Sequence, residues 1–477
     1  MNISSDTHLQ KILDDQKSFF IKNGPPDYKL RLDRLKRVKD MLISNKSKIV
    51  EALDEDYGVR SLDQSLITDV YAALPAFSHA IKNLKRWMKP EKRQSNFPYG
   101  IFGARSYIHF EPLGTVGMIS PWNFPFYLSI APLAGIFSAG NQAMHKPSEF
   151  TPITADLMKS LCDKYFDEVE LATVTGGIGV GEEFSSLKFD HLLFTGSGNV
   201  GKKVMQAAAQ NLVPVTLELG GKSPVIISSS ADIEVSARRI MFNKTLNAGQ
   251  ICLAPDYVLV EESVKDSFIQ ACQDETSKFY DKLLDNNSYT SVVNAHHYNR
   301  LISHIEDAKT KGATIIEINP AKEDFSNQKA HKIPPTLIVD VDDDMTIMQE
   351  EIFGPLLPIS SYTNLESVIA YINAHDKPLG LYYFGTNKAE EQSVLNLTSS
   401  GGVTINDCMG HIQQNDLGFG GVGPSGMGKY DGKDGFLNFS NCKTVYKQVG
   451  FKFDKLFEII RPPYKGNLES VLKNLLK

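Results

Sequence analysis

His191-Leu192-Leu193-Phe194-Thr195-Gly196-Ser197-Gly198-Asn199-Val200-Gly201 combines a short apolar run, a turn punctuated by glycines, and the start of a helical periodicity that continues to 209. A strand that feeds through glycines into a helix is the core of a dinucleotide-binding turn, where bare backbone approaches a diphosphate at the positive end of the helix. The competing reading is an ordinary tight strand-to-helix turn. The surrounding sequence favours the nucleotide: apolar strands at 116–119, 142–145 and 171–174 alternate with helical runs at 126–138 and 151–165. That alternation is the pattern of βαβ units around a parallel sheet.

Outward from this region, a second alternating stretch runs through strands at 225–227, 257–260, 314–316 and 336–339, which predicts a second α/β domain with a border near Leu219 and Gly220. The first hundred residues read as helices, because Leu30, Leu32, Leu35, Val38, Met41 and Leu42 recur at helical spacing. They look like a packing layer and not a site. After about Ser399 the chain becomes dense in glycine (GGVTIN, then GFGGVGPSGMGKYDG). Such a segment is hard to read as core strand or helix and is expected to form a long loop over a site. The tail residues Leu468, Val471, Leu472, Leu475 and Leu476 form an apolar helical stripe, read as packing against a subunit.

A length of 477 residues implies more than one domain and permits a deep cleft between them. A net charge of -6 gives no basic field for nucleic acid. No stretch is long and apolar enough for a membrane anchor, and acidic residues interrupt MNISSDTHLQKILDDQKSFF where a signal peptide needs apolar ones. A cytoplasmic protein is expected. The five cysteines are odd in number, scattered and without CxxC spacing, which fits reduced thiols and offers no metal site.

Four places carry chemistry. Cys252 lies in Asn247-Ala248-Gly249-Gln250-Ile251-Cys252-Leu253-Ala254-Pro255, a small-residue approach to a thiol. A cysteine among apolar residues is more often inert core, and that reading is kept for Cys162, Cys272, Cys408 and Cys442. Asn123, confined in Pro121-Trp122-Asn123-Phe124-Pro125, is either an amide donor for an oxyanion or the cap of the helix starting near Phe126. Glu218, in LELGG, stands near the distance at which a Rossmann turn places its ribose-binding acid. The rival ribose ligands are Lys146 and Glu149 in HKPSE, which would leave Glu218 free for another role.

Together the segments PWNFP, KPSE, FTGSGNVG, LELGGKSP, GQICLAP, EEIFGP and GFGGVGPSGMG, in this order over nearly the whole chain, resemble the aldehyde dehydrogenase superfamily. RPPY at 461–464 looks most like its class 3 branch, and GGVTIND and GPSGMG are similar to the coniferyl aldehyde dehydrogenases. The resemblance implies a Rossmann-type parallel-sheet cofactor domain (1–97 and 112–219), a second α/β catalytic domain (220–405), a small oligomerisation segment (98–111 and 425–455) and a C-terminal tail (456–477), assembling as a homodimer. It implies Cys252 as nucleophile, Glu218 as general base and Asn123 as oxyanion amide. Lys146 and Glu149 would bind the adenosine ribose, Gly196, Ser197 and Gly201 the cofactor turn, and Glu351 and Phe353 the nicotinamide ribose and ring. NAD is the expected cofactor, with NADP accepted less well, because Glu149 would repel a 2′-phosphate. The chain departs from the family at Gly418, where proline is usual, at Asp431, where histidine is frequent after the tyrosine, and at Gly198, which makes the literal GxGxxG incidental.

The implied reaction is oxidation of a hydrophobic aldehyde, aromatic or medium- to long-chain aliphatic, to its acid through a thioester on Cys252. A cofactor-independent thiol hydrolase and an inactive structural homologue are the alternatives that the residues alone leave open. Replacing Cys252 by Ala is expected to abolish both aldehyde oxidation and esterase side activity, which share one acyl intermediate. Turnover retained in Cys252→Ala would contradict the covalent route.

Overall fold

The computed structural model describes residues 7–97, 99–463, 466 and 468–475. Two sheets organise it. The first has the order Gly426–Met427, Val215–Leu219, His191–Gly196, Thr115–Ile119, Gln142–Lys146, Leu171–Thr173, parallel apart from its first, short strand. Its strands are buried on both faces, as parallel strands covered by helices must be. Thr115–Ile119 has the next strand in sequence on one side and His191–Gly196 on the other, so the chain reverses its winding there. Ligands of doubly wound sheets bind in the crevice beyond the carboxyl ends of the strands at such a point. The residues that follow Ile119, Lys146 and Gly196 all emerge at that end.

The second sheet has the order Thr314–Glu317, Thr336–Val339, Leu356–Tyr362, Tyr257–Glu261, Pro224–Ile227, Gly380–Phe384, Gly402–Ile405, with only the first strand antiparallel. A separate antiparallel sheet joins Glu91–Arg93, Arg105–Pro112 and Ser440–Lys447. Gly220–Ser223 links the two large sheets, at the predicted border.

Two local expectations are corrected. The helix read at 126–138 is two helices, Pro125–Ile130 and Leu133–Ala139, because Pro132 has no N–H to donate and its ring obstructs the preceding turn. The glycine-dense segment is not one loop. Gly402–Ile405 completes the edge of the second sheet, and Gly426–Met427 pairs with the strand carrying Glu218. At Gly426 (φ 141°) a Cβ would lie 2.2 Å from the Leu217 carbonyl, so only glycine closes this pairing. The stretch 406–425 forms turns and loops.

The N-terminal helices wrap the first sheet. Tyr28–Tyr57 buries Leu35, Val38, Met41, Leu42, Ile49 and Leu53, whereas Leu30 is exposed. Arg34 and Arg37 on this helix both bind the buried Glu170 before Leu171–Thr173, at 2.9 and 2.8 Å. This stitches the helical layer to the sheet edge. At the C-terminus the helix Leu468–Leu475 is present. Tyr464 and Leu476 lie outside the described residues.

Candidate active site

The helix Ile233–Thr245 ends in a tight turn, Leu246–Gly249, in which Asn247 and Ala248 both adopt left-handed φ values of 51°. Each such non-glycine residue costs about 1 kcal/mol and persists only where its surroundings over-determine it. Here they do. The Asn247 side-chain amide donates to the Asn123 carbonyl at 3.0 Å, and its backbone N–H donates to Gln64 at 2.9 Å. Gln250 donates to the carbonyls of Asn247 and Ser291 at 2.8 and 3.0 Å and accepts from Val293 N–H at 3.0 Å. The strained turn delivers Cys252, half-buried, to the seam between the large sheets.

Asn123 stands opposite. Its backbone carbonyl receives Arg60 Nη1 at 2.8 Å, Asn247 Nδ2 at 3.0 Å and the Tyr57 hydroxyl at 3.3 Å. Arg60 is fully buried, paired with Asp69 at 2.7 Å, and stacked over the rings of Tyr57 and Phe124. The capping alternative for Asn123 fails. Asp69 caps the helix Pro125–Ile130 by accepting from Phe126 and Tyr127 N–H, so the Asn123 side chain is free of that duty. It spends one amide hydrogen on the Gln250 carbonyl, at 3.2 Å, beside Cys252.

Glu218 is 1% exposed, in register with Thr195 on one side and Gly426 on the other. Its carboxyl hydrogen-bonds the Cys252 thiol, and its Oε1 has no partner among the described residues. Burial raises its pKa to about 7, and the thiol contact only partly offsets this. Glu351 is pushed to about 8, by burial first and then by the charge of Asp256. Its carboxylate packs on Gly220, where a Cβ would lie 2.1 Å away, and one oxygen is unpartnered. The Cys252 thiol is held well above its ordinary range by burial and by Glu218 and Glu351. Among the described residues no cation supports a resting thiolate, contrary to the usual setting of a reactive cysteine. A carboxylate base takes that place.

On the other side of the seam, Lys146, buried at the end of its strand, pairs with Glu149 at 2.5 Å. Gly196 ends the strand, Ser197 caps the 12-residue helix Gly198–Ala209 by accepting from Val200 N–H, and Gly201 packs that helix on Leu219, which a Cβ would meet at 2.7 Å. Gly198 faces open space and is not required by packing. Phe353, at φ 48°, meets the Trp122 ring edge-on at 5.3 Å. The structure therefore gathers Cys252, Glu218, Asn123, Glu351 and Phe353 around one seam, with Lys146, Glu149 and the glycine turn at the carboxyl end of the first sheet.

The aldehyde dehydrogenase family model matches residues 24–445. The chain belongs to this family. It is 49% identical over its whole length, and 99% of the other chain, to a probable coniferyl aldehyde dehydrogenase of Caulobacter vibrioides. To a coniferyl aldehyde dehydrogenase of a Pseudomonas species it is 48% identical, covering 98% and 96% of the two chains. A 4,4'-diaponeurosporen-aldehyde dehydrogenase of Staphylococcus aureus is 42% identical over 96% and 97%. Among solved structures, a substrate-bound aldehyde dehydrogenase of Staphylococcus aureus superposes with a TM-score of 0.91 at 40% identity, covering 99% and 100%. An indole-3-acetaldehyde dehydrogenase in complex with NAD+ superposes at 0.83 with 25% identity, covering 92% and 88%. The aldehyde dehydrogenase fold and a nicotinamide cofactor follow.

The helical periodicity of the N-terminal layer points to packing alone and does not single out Tyr57, Arg60 and Asp69. Nor does it single out Lys222, which bonds Asp256 and the carbonyls of Ile347 and Glu350 while Asp256 accepts from Ile352 N–H, fixing the loop before Phe353. No local signal marks these residues, since their partners are distant in the chain. Because the base must be ionised and Glu218 titrates at about 7, kcat followed from about pH 5 to about pH 9 is expected to rise roughly tenfold per unit below neutrality and then level off. A profile flat through neutrality would show that ionisation of Glu218 does not limit turnover.

Proposed function

We propose that this aldehyde dehydrogenase oxidises hydrophobic aldehydes of the aromatic, coniferyl type to their acids, with NAD preferred over NADP, as a cytoplasmic homodimer. The observation that carries the chemistry is the contact of the buried Glu218 carboxyl with the Cys252 thiol, opposite the Asn123 amide. The substrate class rests on two relatives named for coniferyl aldehyde, at 49% and 48% identity. A longer apolar aldehyde is the second reading, favoured by the carotenoid-aldehyde relative at 42%.

In this mechanism Glu218 takes the Cys252 proton as Sγ bonds to the aldehyde carbon. The Asn123 amide, with one hydrogen uncommitted, and the backbone N–H of Cys252 stabilise the resulting oxyanion. Each such donor contributes about 3 kcal/mol in the transition state. The nicotinamide, when bound, supplies a hydride acceptor. Loss of hydride from the former aldehyde carbon leaves a thioester on Cys252. Glu218 gives up its first proton to solvent and then takes one from water, hydroxide adds to the thioester carbon, and the C–S bond breaks to release the acid, the second proton returning from Glu218 to the Cys252 thiolate.

The residues fit a nicotinamide dinucleotide. The orphaned oxygen of Glu351 and the Phe353 edge suit the nicotinamide ribose and ring, and the open N-terminus of Gly198–Ala209 suits a diphosphate. Glu149, partly exposed and held by Lys146, suits the adenosine ribose. The division into 1–97 with 112–219, 220–405, 98–111 with 425–455, and 456–477 is kept as the working domain scheme. The edge strand Ser440–Lys447 leaves one backbone edge for a second subunit.

Absorbance at 340 nm, read on adding aromatic and aliphatic aldehydes with each cofactor, tests this reading. Reduced cofactor is expected with aromatic aldehydes, at a higher kcat/KM with NAD than with NADP. A higher value with NADP would show that Glu149 does not face the 2′ position.

A further inference from the structure

The helix Ala295–Thr310 takes no part in the steps of the reaction, yet it touches both the nucleophile turn and the loop that carries Glu351 and Phe353. Just before its cap Asn294, Val293 N–H donates to the Gln250 side chain at 3.0 Å, close ahead of Cys252. In its first turn His297 packs on the Trp122 ring at 5.1 Å, and Trp122 meets Phe353. One turn further on, the same face carries Arg300. Its guanidinium donates from Nη2 to the Ile352 carbonyl at 2.7 Å and from Nη1 to the Glu351 carbonyl at 3.3 Å.

Arg300 is half-buried and forms no salt bridge with a described residue. A guanidinium withdrawn from water is ordinarily paired with a carboxylate. Here the planar fork is matched to peptide carbonyls, through hydrogen bonds strengthened by its charge. His304 steadies the fork: Nη1 donates to its Nε2 at 3.1 Å, which leaves the ring proton on Nδ1 to be donated to the Thr346 hydroxyl at 3.0 Å. Burial lowers the His304 pKa, in keeping with this neutral form. Thr346 N–H donates in turn to Asp307 at 2.7 Å. The helix thus grips the loop at Thr346 and again at Glu351 and Ile352.

The loop needs such a grip. Phe353 holds φ at 48°, a conformation that a bulky residue keeps only where its surroundings impose it. Ile352 is held at both ends, its N–H by Asp256 at 2.9 Å and its carbonyl by Arg300. Gly354 is pressed against Leu301, which a Cβ would meet at 2.3 Å, and against Gly249 of the nucleophile turn, whose own Cβ would lie 2.3 Å from the Gly354 carbonyl. The two carbonyls that Arg300 holds belong to the two peptide units joining Glu351 to Phe353.

We propose that Arg300 is a positioning residue for the cofactor: by holding both peptide units between Glu351 and Phe353 it sets the spacing of the carboxyl and the ring that receive the nicotinamide end, and acts through these two residues. This rests on the assignment of Glu351 and Phe353 to the nicotinamide ribose and ring. The nucleophile turn has anchors of its own in Asn247 and Gln250. Loss of the fork therefore loosens the cofactor loop and leaves the thiol in place.

Arg300→Met removes the fork while filling similar space, and Arg300→Lys keeps the charge without the planar fork. NAD binding is measured by titration calorimetry, and hydrolysis of 4-nitrophenyl acetate without cofactor reports on Cys252 and Glu218 alone. In Arg300→Met the Kd for NAD is expected to rise at least about tenfold, the equivalent of one hydrogen bond to a charged group. The KM for NAD should rise in step, with ester hydrolysis near the rate of the unaltered protein. Arg300→Lys should recover part of the affinity, and it decides alone if Arg300→Met fails to fold, by a raised Kd for NAD with ester hydrolysis preserved. An unchanged Kd for NAD, or ester hydrolysis that falls in step with NAD binding, overturns the proposal. Glu351→Gln separates that failure from failure of the assignment beneath it. If Glu351→Gln weakens NAD binding and the Arg300 variants do not, the role of Arg300 alone falls; if none of them weakens it, the loop lies outside the cofactor site and both fall.

Discussion

The backbone carbonyl of Asn123 is the point on which the site depends. Its three hydrogen-bond partners come from two parts of the chain: Tyr57 and Arg60 from the N-terminal helical layer, and Asn247 from the strained turn before the nucleophile. The same Arg60 is neutralised by Asp69, which caps the helix following Asn123. The oxyanion amide, the start of its helix and the cysteine turn are thus held in one mutual geometry by a single buried cluster. Removing one partner of a buried ion pair typically costs 3–5 kcal/mol. Loosening this cluster would therefore disturb stability and the placement of the reacting groups together.

Electrostatically the site is made of acids. Glu218 and Glu351 are each raised by burial, and among the described residues Cys252 sits beside these carboxyls without a neighbouring cation. Such a site favours proton transfer from thiol to carboxylate at the moment of attack over a standing thiolate, which suits an enzyme whose nucleophile must not be oxidised between turnovers. The arrangement is costly. The folded protein binds the Glu218 proton more tightly than the unfolded chain, so stability falls as pH rises from the unfolded value of 4.5 through the folded value of about 7. Above that window the ionised, buried base costs about 3 kcal/mol.

Much of this was legible in the sequence. The glycine turn after His191–Gly196 and the alternation of strands and helices mark the two sheets correctly, because parallel strands buried on both faces are short and continuously apolar. The motifs that resemble the family identify every residue that the structure gathers at the seam. The rest depends on contacts between residues far apart in the chain. Arg60 and Asp69 read as ordinary surface charges on helices until folding buries both and brings them to Asn123. The left-handed turn at Asn247 and Ala248 carries no glycine at either position to announce it. Gly402–Ile405 is hidden in a glycine-rich run because an edge strand of four residues needs little apolar pattern.

The account turns on Glu218 serving as base first to Cys252 and then to the water that releases the acid. Rapid mixing of Glu218→Gln with saturating NAD and an aromatic aldehyde, followed by mass analysis of the quenched enzyme, separates this from a role for Glu218 in cofactor binding. The account predicts an acyl adduct on Cys252 and about one equivalent of NADH per subunit, formed slowly because the thiol has lost its base and faster as pH rises, followed by a stall. If neither NADH nor adduct appears, yet raising NAD restores full turnover, Glu218 belongs to the cofactor site and the account is wrong.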